Sequence, residues 1–540
     1  MAPAFFYIGS VLATLVFLFL FRVYTRKLAS LPLPPGPAPL PIVGNLHQNP
    51  KSHPWLQYHE WSKIYGPIIH LSMLGQSVII LSTSKAAHDL LAKQGGTFSD
   101  RPRFVMAAEL ALKGMHMLLR PYDARFKLHQ KMESPVLNER AAVAYLSFQE
   151  LESSQLLFDL LKSAGGSGAD CHEYLERTTA SIIYALFYGY RLKSASEPVL
   201  VSAHSVNHEF DQLAQVGKYL VDSFPVLQNL PSFLAPWKLE AENHWQRQCA
   251  LHVGNLQRGL QASTWNFCKQ MTAYLSTQDI EMSTEELALD IGIMADAAMD
   301  ASTETLCWFL VACVTDTTGF MAEAQLYLDE VVGRDRLPTF NDRPRLPYID
   351  AIVEEVLRWR PAGAAGVPHY TKVGSTYKGY RIPANSVVIA NHWAITREET
   401  VFGTDVESFR PSRWLNAKGN VGQLRDLPTV GFGYGRRICP GRHVARNGLW
   451  IVIARLLWAF NIKPGLSKGG ERIEVDSTAS TDGLVTKPLR FKTTLEPRGE
   501  WSRKIIMSEC DTHGVAYTEM LDLIGESLAA KSGITAKHSN

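Results

Sequence analysis

The stretch that most limits what this chain can fold into begins at Ser283. Glu286 follows three residues later, the spacing at which a serine side chain accepts from the N3 amide while the acid reaches back. A helix is therefore predicted to start there. Apolar positions continue through Leu287, Ile291, Met294, Leu306 and Phe309 to about Val314, covering much of the circumference rather than one stripe. About 30 residues at 1.5 Å rise make a rod roughly 45 Å long. A rod apolar nearly all round must be enclosed by protein, and only a large domain can enclose it. The composition allows one: 540 residues, 46% hydrophobic and 20% charged, supply an extensive core and exclude wholesale disorder.

Helical patterns dominate the rest of the chain. One is expected over 320–332, stopped by Gly333, and another over 348–359, ended by Pro361. A third runs from about 442 to 458. Strand-like alternation is confined to 68–72, 78–81, 380–382 and 387–390. The glycine-rich run 163–168 (SAGGSG) reads as a surface loop, and no linker divides residues 51–500. The expected class is mainly α with small β-sheets in one large domain. Lys plus Arg number 54 against 52 Asp plus Glu, which leaves no electrostatic footprint for nucleic acid. Seven cysteines without a short-range framework point to a reducing compartment.

The N-terminus is different. Residues 5–21 (FFYIGSVLATLVFLFLF) are almost wholly apolar, and with Tyr24 as an interfacial ring the segment can span a ~30 Å hydrocarbon core. Arg22, Arg26 and Lys27 follow it, so residues 1–27 read as a transmembrane anchor with the remaining chain on the cytosolic side. Residues 28–50 form a hinge, with proline at six of the eleven positions 31–41 (LPLPPGPAPLP). Fixed φ angles and missing donors make it a stiff spacer. The tail 501–540 contains an amphipathic pattern over 517–530 and suggests no function.

The chemistry concentrates in residues 432–441, FGYGRRICPG. Glycines at 431, 433, 435 and 441 permit tight turns and close approach of backbone to a flat ligand. Cys439 precedes Pro440 and a helical pattern, so it is expected at a helix N-terminus with a lowered thiol pKa, as a soft metal ligand. Arg437 can bond a carboxylate. Cys171, Cys249, Cys268, Cys307, Cys313 and Cys510 read as inert packing. The glycine spacing does not fit a dinucleotide-binding turn.

Phe432-x-x-Gly435-x-Arg437-x-Cys439-x-Gly441 resembles the haem-binding signature of the cytochrome P450 monooxygenases. Glu355-x-x-Arg358, and Arg413 within 409–414 (FRPSRW), resemble the family's buried Glu-Arg-Arg network. The helix from Ser283 corresponds to its central helix over the haem. The resemblance spans about residues 30–500 and is greatest to fungal microsomal members of secondary metabolism. It implies haem b on the Cys439 thiolate and a single-pass protein of the endoplasmic reticulum membrane. It also implies dioxygen as oxidant, with electrons from NADPH through a separate NADPH–cytochrome P450 reductase and cytochrome b5 as an accessory donor. The substrate would be a hydrophobic small molecule, hydroxylated or oxidatively coupled.

Several positions depart from the family pattern. Asp300 falls on the acid of the proton-delivery pair, but Ala301 stands where the family has Thr. Ser302 follows, displaced by one residue or about 100° of helix. Phe126 and Gln130 replace a Trp and an Arg that hold haem propionates, leaving Arg125, Lys127, His129 or Lys131 to compensate. His369 is either a propionate contact or a surface histidine. The small residues 362–367 (AGAAGV) suggest a roomy substrate cavity. Two rivals stay open: a haem-thiolate isomerase or peroxide-dependent enzyme, and a non-catalytic haem-binding membrane protein.

Overall fold

The computed structural model describes residues 31–163, 168–215, 217–416 and 424–532. The anchor 1–27 and residues 164–167 of the glycine-rich loop lie outside the described residues. The helices that build the core and the site are α1 (Ala124–Leu137), α2 (Leu146–Ser163), α3 (His172–Tyr188), α4 (Trp237–Gln261), α5 (Thr284–Val314), α6 (Phe320–Val331), α7 (Pro347–Trp359) and α8 (Arg442–Ala459). Two more, α9 (Glu500–Glu509) and α10 (Thr518–Ser532), lie in the tail. The strands are β1 (Ile68–Met73), β2 (Gln76–Leu81), β3 (His369–Thr371), β4 (Ser375–Tyr377), β5 (Tyr380–Ile382), β6 (Ser386–Ala390), β7 (Phe460–Pro464) and β8 (Thr493–Pro497). They form one four-stranded sheet, in the order β1-β2-β6-β3, and two ribbons, β4-β5 and β7-β8. β2 and β6 are parallel, joined through most of the domain, whereas β1-β2 and β3-β6 are antiparallel. β3, β4, β7 and β8 lie outside the four stretches where the sequence showed alternation.

α5 begins where its cap dictates. The Glu286 amide donates to Ser283 Oγ at 3.1 Å. The acid does not return the bond: its carboxylate takes Arg125 Nε at 2.8 Å and His129 Nε2 at 2.9 Å instead, tying α1 to the first turn of α5. Burial alone would raise the Glu286 carboxyl, but these two partners hold it well below its ordinary value. Farther along, residues 303–313 of α5 are buried without exception. They pack with α7 and α8 in a core that holds Trp308, Trp450 and Trp458. Between these ends most residues from 293 to 302 are half-buried, and Ala297 is exposed. The helix is enclosed at both ends and open at its middle.

The proline hinge is docked rather than free-standing. Its prolines keep their carbonyls, and Pro35 O and Pro32 O accept from the amides of His70 (3.0 Å) and Arg381 (2.8 Å) on β1 and β5. A Cβ on Gly36 would stand 2.1 Å from His70 O, so only glycine permits this approach.

α10 also has a structural task. Leu521, Ile524 and Leu528 are buried in the cluster that contains Tyr145 and Trp265. The Trp265 amide donates to Asp522 Oδ1 at 3.0 Å, and a Cβ on Gly525 would meet Trp265 Cγ at 2.6 Å. Burial of each such aliphatic side chain contributes about 1.5–3 kcal/mol. Deleting residues 517–540 is therefore expected to lower the thermal midpoint in scanning calorimetry. An unchanged midpoint would remove α10 from the core.

Candidate active site at the cysteine loop

The loop that carries Cys439 is shaped by its glycines. Gly435 has φ +55°, and a Cβ there would stand 2.2 Å from Leu91 O, so the loop sits directly on the backbone of residues 91–92. The Cys439 amide donates to Phe432 O at 2.8 Å and closes the turn. The Phe432 ring lies 4.8 Å from the Arg446 guanidinium of α8. Arg446 in turn pairs with Glu354 of α7 at 2.8 Å. Gly441 is the N-cap of α8, so Pro440 precedes the helix instead of occupying its first turn. The expected drop in thiol pKa is not found in the chain alone. Burial pushes the Cys439 thiol up, and the Gly441 amide and the Arg442 charge only partly oppose it. Deprotonation would come from the metal itself, which binds thiolate and expels the proton.

Three stretches open onto the interior. One is the middle of α5, where Ala297, Ala298 and Ala301 keep the wall low. Another is the start of α8, where residues 441–448 are all half-buried although the rest of that helix is buried. The third is 362–367, half-buried except at Ala364. The remaining turns of α5, α7 and α8 pack on one another, whereas Val444, in the first turn of α8, packs on the cluster of Ala295 and Met299 in the middle of α5.

Arg437 spends its donors on carbonyls. Its Nε donates to Ser99 O at 2.8 Å and its Nη2 to Arg120 O at 2.6 Å. The guanidinium stacks on Phe126, 3.7 Å from the ring centroid. Phe126 thus holds the cation by its face where the family's Trp would offer an N–H. Gln130 Nε2 donates to Arg436 O at 3.0 Å and braces the same loop. A second arginine, Arg101, is buried nearby and donates to Leu118 O (2.9 Å) and Pro368 O (2.7 Å). Among the described residues neither Arg101 nor Arg437 has a carboxylate within ion-pair distance. Burial, then the charge of Arg437, pulls Arg101 well below its ordinary value. Burial brings Arg437 down to about 10.

His369 opens β3. It is a buried residue, with Nδ1 2.7 Å from Phe98 O, so the surface alternative does not hold. Burial, followed by the Arg101 charge, lowers it to about 3. A buried guanidinium, Arg101, and a half-buried one, Arg437, neither with a carboxylate partner among the described residues, form a donor set that fits the two carboxylates of a haem. The other candidate cations are engaged elsewhere. Arg125 and His129 serve Glu286, Lys127 lies 5.0 Å over the Tyr122 ring, and Lys131 is exposed. Arg101 is the residue that sequence reasoning missed; an arginine beside Pro102 in a loop carries no periodic or motif signal.

Glu355, Arg358 and Arg413 meet in the core. Glu355 Oε1 accepts from Arg358 Nη2 (2.8 Å) and Arg413 Nε (3.0 Å), and Oε2 accepts from Arg358 Nε (2.7 Å) and Trp414 Nε1 (2.9 Å). Leftover guanidinium donors reach Val406 O at 2.8 Å and Asp405 O at 3.1 Å. The network latches the segment before the cysteine loop onto α7.

Asp300 and Ser302 are not brought together. Asp300 Oδ2 lies 3.2 Å from Lys487 Nζ, which is also 3.7 Å from Glu304. Ser302, about 200° further round the helix, makes no hydrogen bond among the described residues. Lys487 was invisible to sequence reasoning because it is 187 residues away.

A family model for cytochrome P450 matches residues 34–495. Cytochrome P450 monooxygenase aneD of Aspergillus aculeatus is 38% identical over 88% of this chain and 90% of its own length. Cytochrome P450 monooxygenase FrzL of a Cladobotryum species is 36% identical, with 93% and 94% covered. Cytochrome P450 monooxygenase peniB of Penicillium patulum is 35% identical, with 91% and 90% covered. Likeness of this extent, together with a cysteine loop braced on α7 and α8, makes the chain a member of the cytochrome P450 family and a P450 monooxygenase.

Proposed function

We propose that this monooxygenase is held at the endoplasmic reticulum membrane by residues 1–27. There it takes electrons from NADPH–cytochrome P450 reductase and hydroxylates or oxidatively couples a hydrophobic small molecule of fungal secondary metabolism. The observation that carries the reading is the Cys439 loop leading into α8, whose first turn packs through Val444 on the cluster of Ala295 and Met299 in the half-buried middle of α5. Haem b, which the Cys439 thiolate would hold by its iron and Arg101 and Arg437 by its carboxylates, would supply the activation of dioxygen that no side chain can perform. Phe432, Gly435 and Gly441 shape its seat, and His369 braces the backbone beside it. The chain's own part is to admit an apolar substrate between α5 and residues 362–367, exclude bulk water and pass protons inward. Exposed apolar side chains at Leu220, Phe224, Val226, Phe233 and Leu234 support contact of the body with a lipid surface. Purified protein with reductase, NADPH and oxygen should yield an oxygenated product from candidate precursors. Turnover without oxygen or NADPH would favour the isomerase or peroxide-dependent reading, which Ala301 keeps in contention.

Removing residues 1–27 takes away no haem-site residue. The shortened protein is expected to bind haem fully and to partition less into microsomes in a flotation assay. Failure to incorporate haem would place the segment in the core.

Asp300, paired with Lys487, is the proposed inlet for protons, with Ser302 as a weaker contributor. Asp300→Asn should slow turnover several-fold with little change in substrate affinity, since the group acts after binding. Ser302→Ala should release more peroxide per NADPH. Ala301→Thr should leave coupling equal or improved, unless the substrate brings its own hydroxyl into that space. Product formed per NADPH oxidised is the measurement, and unchanged rate and coupling in both Asp300→Asn and Ser302→Ala would refute the inlet.

A further inference from the structure

Beyond the open middle of α5, Glu304 and Cys307 lie three residues apart and share one face of the helix. His172, the first residue of α3, packs against that face, with Nε2 3.0 Å from Glu304 Oε1. One ligand-capable atom from each of the three residues lies within 4.8 Å of the other two. Glu304 and Cys307 are only 2% and 4% exposed. The Cys307 thiol makes no hydrogen bond among the described residues, and with His172 it lines a narrow cleft closed by Cys171, Pro488 and Phe491. None of these residues belongs to the haem seat described above.

We propose that His172, Glu304 and Cys307 form a second metal site, for a divalent cation of the zinc class. Imidazole, carboxylate and thiolate together make a borderline-soft donor set; Mg²⁺ and Ca²⁺ need several oxygens and would find a single carboxylate here. Zinc bonds of about 2.0–2.3 Å at tetrahedral angles set ligand atoms about 3.3–3.7 Å apart. The His172–Glu304 edge, 3.0 Å, therefore has to widen by a few tenths of an ångström, and the edges to Cys307, within 4.8 Å, have to close to that range, which rotation of the Cys307 and Glu304 side chains supplies. As the Zn–S bond forms, the Cys307 thiol loses its proton to solvent; His172 binds neutral and Glu304 ionised. Two negative ligands then balance the charge of the cation in a buried position. A water completes the fourth position from the cleft. The metal would also relieve Lys487 of Glu304 and leave it to Asp300.

The test uses the full-length haem-loaded protein without a polyhistidine tag. After dialysis with Zn²⁺, the wild type should retain one zinc per chain by elemental analysis. Competition with a chromophoric chelator should show His172→Ala and Cys307→Ala each binding at least tenfold more weakly. Cys313→Ala, a buried thiol on the same helix, should bind as the wild type does. The carbon monoxide spectrum reports intact haem in every variant. Should Cys307→Ala lose haem, His172→Ala and Glu304→Gln carry the comparison, since glutamine keeps the shape and removes the charge. Zinc affinity unchanged in His172→Ala and Glu304→Gln, or retention of Mg²⁺ as firm as that of Zn²⁺, would overturn the site.

Discussion

Cys439→Ala is expected to abolish the red-shifted Soret band of the reduced carbon monoxide complex and to reduce oxygen-dependent product below detection. The loop offers no second thiol: Cys307 and Cys313 are buried in the enclosed end of α5, packed against other hydrophobic residues. Thiolate donation to the iron is what distinguishes this class of haem site, so the loss should be all or none. Haem can still lodge in the variant between Arg101 and Arg437, giving a spectrum without thiolate character. Cys307→Ala and Cys313→Ala should keep the band intact. A thiolate band in Cys439→Ala would end the assignment of the axial ligand.

Loss of the Glu355 carboxylate should be nearly as severe, for a different reason. Glu355, Arg358 and Arg413 have side chains at most 1% exposed. Two guanidiniums therefore meet at one buried carboxylate, and for Arg358 it is the only one within ion-pair distance among the described residues. Breaking a buried pair by removing one partner costs about 3–5 kcal/mol, and here a single truncation strands Arg358 and the Trp414 N–H and leaves Arg413 only the half-exposed Asp405 carboxylate at 3.2 Å. The Arg410 amide loses its acceptor as well, at 2.8 Å in the intact protein. Glu355→Ala should unlatch residues 402–414 from α7 and yield protein with little haem and a markedly lower thermal midpoint. Glu355→Gln, which keeps the shape and one acceptor, should fall between this variant and the wild type. Normal haem content and midpoint in Glu355→Ala would show that the network is dispensable.

Much of this could be read locally. A cap at Ser283 and a mostly apolar run from there onward set the start and length of α5, because helix initiation and periodicity depend on neighbours a few residues away. Four strands were visible for the same reason, their alternation being a property of consecutive residues. The motif around Cys439 identifies itself because its glycines answer to a local demand: at Gly435 positive φ and the nearness of Leu91 O both exclude a side chain.

What local reasoning did not reach depends on residues far apart in the chain. Glu286 has the spacing of a capping acid, yet tertiary packing offers it Arg125 and His129, and a charged pair outcompetes a backbone N–H. That same choice removes two of the four cations expected to compensate for Phe126 and Gln130. Arg101 enters the site only because the segments around 101, 118, 368 and 437 converge. Likewise, Asp300 meets a lysine rather than the neighbouring Ser302 because the segment around Thr486 and Lys487 returns to α5, where Trp308 Nε1 donates to Thr486 O at 3.0 Å. The thiol of Cys439 follows the same rule. Its place in the chain predicted a helix terminus that would lower its pKa, but burial, a property of the assembled core, outweighs the terminus until a metal takes the proton's place. Sequence alone determined the helices α5–α8, the cysteine loop and the reaction class, since each is written in short-range pattern; the charge partners were decided by the fold, since electrostatic pairing follows distance in space and not position in the chain.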